Sequence, residues 1–277
     1  MHVTLFDQYG AINSRPIFTA LRQGLAASGI KCSSMDMNAD VAVIWSLVWA
    51  GRMKHNHAVW QHFRQSGRPV IVAEVGMIRR GQTWKLGING TGLNANHGTL
   101  SVPNRSAQLG MSTKPWTNTG TNIVIACQRT DSEQWAGQPN IDIWLNQTIT
   151  QVRQHSSRPI VVRPHPRQTI PLIGNCTVQK PRPLAGTYDS FDFDAGLDDT
   201  WCVINWNSGP GSQAIINGVP AFVGPDSLAA PVANLDLSQI ENPARPDRAG
   251  WLEQLAHTEW TINEIATGYP LQRLLGL

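Results

Sequence analysis

The sequence predicts an α/β protein made of two similar halves and a short helical tail. Apolar, β-branched runs alternate with helical stretches in two separate series, the pattern of mostly parallel sheets covered on both faces. Between the series, residues 75–130 are rich in Gly, Asn, Thr and Ser and lack a clear helix. The chain has 277 residues, more than the ~150 usual for one domain. The expected divisions are 1–120, 121–249 and a tail, 250–277, that could cross back to brace the first half.

The first series opens with a strand at His2–Phe6, a turn through Asp7–Ser14 and a helix from Arg15 to Ser28. Ser14 is a plausible cap, Pro16 suits the first turn and Gly29 supplies the stop. Strands follow at 31–35, 40–44 and 69–73, with a helix over 54–65 between the last two. The second series has a strand at 122–127, a helix over 140–155, and strands at 159–163, 175–179 and 202–206. A helix at 210–217 and a strand at 219–223 complete it. The tail reads as two helices, near 250–265 and 270–275.

Composition excludes several classes. Hydrophobic residues make up 41% and charged residues 15%, which rules out a disordered chain or a coiled coil. Net charge is +3, compatible with an anionic ligand without identifying one. No apolar run approaches the ~20 residues of a membrane-spanning helix. The first ten residues read as a strand rather than a secretory signal. Cys32, Cys127, Cys176 and Cys202 are widely spaced and follow no metal-binding pattern, so buried thiols in a reducing cytoplasm are expected.

Two stretches carry ligand chemistry. Val162-Arg-Pro-His-Pro-Arg167 leaves the end of an apolar strand, and open α/β sheets bind ligands outside the carboxyl ends of their strands. Arg163 and Arg167 offer planar forks of donors and His165 one more, a set suited to phosphate. The plainer reading is a stiff exit turn with solvated arginines. The second stretch, Asn205-Trp-Asn-Ser-Gly-Pro-Gly-Ser212, joins a strand to a helix. Backbone N–H groups at the helix start, around Gly209 and Gly211, with the Ser208 and Ser212 hydroxyls, would hold an anion there. The plainer reading is an ordinary capped helix. It is neither a Walker loop nor a GxGxxG fingerprint.

The His-Pro at one strand end, followed by Asn-Ser-Gly-x-Gly-Ser-x-Ala-x-x-x-Gly-x-Pro, resembles the donor half of GT-B glycosyltransferases. It is most similar to the capsule-type keto-sugar transferases and bacterial sialyltransferases. Val72-Ala-Glu-Val-Gly-Met-Ile-Arg-Arg80, Leu86-Gly-Ile-Asn-Gly90 and the tail stretch Leu255–Ile265 resemble further parts of the capsule enzymes. The resemblance implies two Rossmann-like domains facing a central cleft. It also implies a nucleotide-sugar co-substrate, UDP-linked by first expectation and CMP-linked by second, held by His165, Arg167 and the 208–212 turn.

A transferase needs a base for the acceptor hydroxyl. Glu74, ending an apolar strand, is the first choice and Asp7 the second; each could instead form a cap or salt bridge. Asp192-Phe-Asp194 matches the Asp-x-Asp of metal-dependent transferases but lies in a plainly acidic turn, so no metal is expected. For the acceptor, residues 75–130 hold no acid and six cations. Arg79, Arg80, Lys85, Arg105 and Lys114, with Trp84 and Trp116, suit a nucleic-acid backbone. In general character the chain is similar to phage glycosyltransferases of hydroxymethylpyrimidines in DNA, which makes DNA the preferred acceptor and a surface or capsular polysaccharide the alternative. A non-catalytic nucleotide-sugar or DNA-binding module is a third reading. No obligate protein partner is expected.

Overall fold

The computed structural model describes residues 1–99, 102–171, 174–185, 191 and 197–277. In chain order the first elements are β1 (His2–Leu5), α1 (Arg15–Ala27), β2 (Lys31–Ser34), β3 (Val41–Trp45), α2 (Asn56–Gln65), β4 (Val70–Val75), β5 (Thr83–Ile88) and α3 (Arg105–Gln108). Then follow β6 (Asn122–Ala126), α4 (Ile141–His155), β7 (Ile160–Arg163), β8 (Thr177–Val178), β9 (Thr200–Ile204), α5 (Gly209–Ile216) and β10 (Ala221–Phe222). The last elements are α6 (Ala249–Ala256), β11 (Glu259–Thr261), α7 (Ile262–Thr267) and α8 (Tyr269–Leu275).

The chain forms two compact units. One comprises Met1–Arg105, Asp131–Glu133 and Gln254–Leu277; the other comprises Ser106–Thr130 and Gln134–Glu253. Residues 106–120 therefore group with the second unit, and the tail from Gln254 with the first.

The first unit's sheet runs β11-β5-β4-β3-β1-β2. Strands β1 to β4 are mutually parallel, while β5 is antiparallel to both β4 and β11. Alternation along the strands fills two cores, because successive side chains point to opposite faces. Val41, Val43 and Trp45 join Ile71 and Ala73 against α1, α7 and α8. Ala42 and Ile44 join Val70 and Val72 against Val59, Trp60 and Phe63 of α2.

The sequence reading of the tail as two helices is corrected. The expected helix over 250–265 stops at Ala256, and β11 adds an edge strand beside β5. Thr261 then restarts the helix through a capping box with Glu264, which satisfies two N-terminal donors reciprocally. Strand β5, also unexpected, carries Trp84 and Leu86 into the core. Gly24 of α1 sits so close to the α7–α8 junction that a Cβ there would collide with Ile265 O.

The second unit's sheet runs β10-β9-β6-β7-β8 with every pair parallel. Ile123, Ile125, Val162, Cys202 and Ile204 pack against Trp144, Leu145 and Val152 of α4. From β6 the chain passes through α4 to β7, and from β9 through α5 to β10. The strand order therefore reverses between β6 and β9. Such a switch point opens a crevice at the carboxyl ends of the strands, where ligands of open α/β sheets bind.

Among the described residues no helix is long and apolar enough to cross a membrane. All four cysteines are free. Burial pushes the Cys127 thiol up to about 12 and Cys202 further still, so both are inert as nucleophiles.

Candidate functional site

In the second unit, side-chain amides tie three neighbouring strand ends together. Asn205, 1% exposed, donates from Nδ2 to Ala126 O at 2.9 Å and to Ser208 Oγ at 2.8 Å. Its Oδ1 accepts from Ser208 N at 3.0 Å. Gln128, buried just beyond β6, donates from Nε2 to Asn207 Oδ1, and its Oε1 accepts from Asn207 N, both at 3.0 Å. Beyond β7, Gln168 Oε1 accepts from Thr130 N and Oγ1 at 3.3 and 3.2 Å. The ends of β9, β6 and β7 are thus cross-linked in their order across the sheet, through the switch point.

His165 and the start of α5 stand at opposite ends of this network. Both β7 and β9 pair with β6, so their ends lie two strand spacings apart, roughly 10 Å. His165 Nδ1 accepts from Arg167 N at 3.1 Å. A neutral ring therefore carries its proton on Nε2 and presents that atom as a donor. Arg167 is exposed. The hydroxyl of Ser208, at the N-cap, is held by Asn205 and does not cap the helix, so the first turn keeps its donors directed outward.

Three residues proposed from sequence behave differently. Arg163 is 3% exposed and donates to Gln179 Oε1 at 3.5 Å; it is enclosed rather than open at the strand exit. Gly211 is fixed by packing, since a Cβ there would lie 2.8 Å from Val223 Cγ1. Ser212 is buried. Gly209 opens the helix, one residue before the expected start at 210. Asn205, Gln128 and Asn207 were not singled out from sequence, because uncharged amides at strand ends have no signature of their own.

In the first unit Glu74 lies near the end of β4, half-buried. Its Oε1 accepts from Ser46 Oγ at 2.9 Å and its Oε2 from Thr91 Oγ1 at 3.1 Å. Ser46 directly follows β3 with φ +61, a conformation that costs a non-glycine residue about 1–3 kcal/mol. That backbone aims the hydroxyl at the carboxylate. Asp7 forms an ion pair with Arg22 at 3.1 Å.

The expected cationic stripe is corrected. Arg79 and Arg80 are exposed and Lys85 is half-buried, beside Glu74 in register on β5. Arg105 is wholly buried: it donates to Glu264 at 2.6 Å and to Ala256 O and Glu259 O, and lies 3.7 Å over the Trp260 ring. Lys114 is exposed but belongs to the second unit. An arginine enclosed in this way cannot track a phosphate backbone.

The tail stretch Leu255–Ile265 has a structural account. Glu259, fully buried, accepts from Met77 N at 2.7 Å, Ile78 N at 3.1 Å and Thr83 Oγ1 at 2.7 Å. It pins the turn that carries Arg79 and Arg80.

No protein-family model matches the chain, and no curated protein does. Solved structures do. A beta Kdo 2,4 transferase KpsC from Thermosulfurimonas dismutans is 13% identical with a TM-score of 0.56, over 96% of this chain and 98% of that one. A beta Kdo 2,7 transferase KpsC from the same organism is 13% identical with a TM-score of 0.50, over 96% and 97%. The chain has a GT-B-like fold. At this identity the likeness is one of architecture, and the role of each residue rests on the geometry above. Asp192-Phe-Asp194 lies outside the described residues, and among the described residues no three His, Cys, Asp or Glu side chains converge on a metal position.

Proposed function

We propose that the chain is a glycosyltransferase that moves a sugar from a nucleotide-sugar donor to a hydroxyl of a surface or capsular polysaccharide. The observation that carries this reading is the amide-linked switch point of the second unit, with His165 on one side and the start of α5 on the other. The likeness to structures titled Kdo transferases supports the keto-sugar direction and, with it, a CMP-linked donor over a UDP-linked one.

In this reading His165 Nε2, Arg167 and the first-turn N–H groups of α5 bind the donor phosphate. When the glycosidic bond to the nucleotide breaks, negative charge collects on a phosphate oxygen. Prealigned donors stabilise that charge more than the ground state, which lowers the barrier. Glu74, held by two hydroxyls that donate to it, is the base that takes the acceptor proton. Asp7 is less suited, because Arg22 already engages it.

DNA is the weaker acceptor. Of the five cations first assigned to it, Arg105 is enclosed and Lys85 half-buried. Incubation of the pure protein with CMP- and UDP-sugars tests both readings, with a polysaccharide fragment or hydroxymethylated DNA as acceptor. Transfer to the glycan is expected. Transfer to DNA alone would restore the other acceptor, and no donor turnover with either would remove the enzymatic reading.

A further inference from the structure

The second unit carries a groove of about 470 Å³ whose lining meets the candidate site only at Asn205. Its volume falls in the ~300–1,000 Å³ range of sites built for small ligands. One wall is a single face of α4, formed by Trp144, Thr148, Gln151 and His155. From Trp144 to His155 that face is about 16 Å long at 1.5 Å per residue. The other wall is the segment Leu235–Ser238, and the floor is Ile204 and Phe222. The groove is therefore long and open rather than a slot.

One end of it is an aromatic plate. Trp206, half-exposed, lies flat on the backbone of Gly224: a Cβ at Gly224 would come within 2.7 Å of the indole ring. Gly224 N donates to Trp206 O at 2.6 Å. Only glycine permits that approach, and it fixes the ring before any ligand arrives. At the rim, Leu235 is 60% exposed, a large apolar side chain left in water. Gln151, Gln154, Asp236 and Ser238 are exposed beside it.

We infer that this groove binds a stretch of linear, uncharged glycan chain. Sugar rings have an apolar face of C–H groups that lies on an indole or leucyl surface, and an edge of hydroxyls that both donate and accept. Glutamine offers the matching pair on one planar group. A nucleobase would need a short enclosed slot rather than a trough three helical turns long. Among the described residues lining the groove, the titratable groups are one carboxylate, Asp236, and one imidazole, His155, with no Lys or Arg, so the groove offers an acidic polymer no permanent positive charge. The inference does not depend on the transfer reaction. It makes the second unit hold a chain in a groove that borders the candidate site at Asn205, the residue that holds Ser208 at the start of α5.

The test uses the full chain and isothermal titration with malto-oligosaccharides from two to six units, oligosialic acid of matched lengths, and cytidine. Affinity for the neutral series should rise with length and level off once the groove is filled. Gln151→Ala should weaken it roughly five- to tenfold, the scale of one lost hydrogen bond, and Trp206→Ala should abolish it. Gln151 and Leu235 are rim positions, so Gln151→Ala and Leu235→Ser keep the test valid should Trp206→Ala fail to fold. Pyrophosphate affinity should be unchanged in the rim variants, which separates this inference from the donor-site reading. The inference is overturned by absence of neutral-oligosaccharide binding, by tighter binding of the acidic series, by cytidine displacing the glycan, or by rim variants that bind as wild type does.

Discussion

Gln128 and Asn207 exchange two hydrogen bonds, each 3.0 Å, across the ends of β6 and β9. The pair sets the backbone of Asn207, and so the direction in which Ser208 and Gly209 enter α5. Gln128→Met keeps the shape but leaves the Asn207 groups without their partner. That should cost about 1–3 kcal/mol of stability and weaken CMP binding by roughly tenfold or more. Urea denaturation and calorimetric titration read the two effects. Unchanged nucleotide affinity would show that the network is only structural.

His165 permits a sharper separation. Its Nδ1 accepts from Arg167 N, a contact that the Oδ1 of asparagine can reproduce, whereas the Nε2 donor has no counterpart there. His165→Asn should therefore keep the melting temperature and lose nucleotide affinity, by roughly tenfold for one charge-assisted or neutral hydrogen bond. Equal loss of both would assign His165 to the turn alone.

Glu74 depends on Ser46, whose backbone is strained to reach it. Glu74→Gln removes the proton acceptor and should lower turnover ~10²-fold or more while donor binding survives. Ser46→Gly relieves the strained φ and removes the hydroxyl, so stability should hold or rise while turnover falls. Single-turnover kinetics alongside donor titration decide the matter. Activity within a few-fold of wild type in Glu74→Gln would make Glu74 structural.

The parallel strands and their helices were legible because period-two and helical patterns are written in local sequence. Val41–Trp45 and Ile123–Ala126 needed no tertiary information. Strands β5 and β11 were not legible. β11 is short and becomes a strand by pairing with β5, about 175 residues away in the chain, and β5 lies between that distant strand and β4. The ends of β7 and β9 were readable from the apolar runs that stop just before the His165 turn and the Ser/Gly turn. The amides that align them were not. The charge run 75–130 misled for the opposite reason: a count of cations does not reveal that Arg105 is enclosed by Glu264, the Trp260 ring and two backbone carbonyls lying about 150 residues further on.

Arg105 and Glu264 supply the pH dependence of the first unit. Burial works to raise the Glu264 carboxyl, but hydrogen bonds from Arg105 and Thr261 outweigh it and hold the group below the usual carboxylate range. A carboxyl depressed in the folded state binds fewer protons there than when unfolded. Its stabilisation is therefore complete above the unfolded value, about 4.3, and is lost as pH falls through the folded value. Glu264→Gln should remove this acid-labile part and leave Arg105, 1% exposed, charged without its partner. At pH 7 the cost should lie near the lower end of the ~3–5 kcal/mol for breaking a buried pair, because a third of the Glu264 side chain meets solvent. As the pH falls below the usual carboxylate range the gap between variant and wild type should narrow, since wild-type Glu264 then loses its own charge. Hydrogen exchange of the α7 amides at neutral and at acid pH reads this unit without requiring the whole chain to unfold in one step. A gap that stays constant with pH would mean that Glu264 acts through its shape and neutral hydrogen bonds, not through its charge on Arg105.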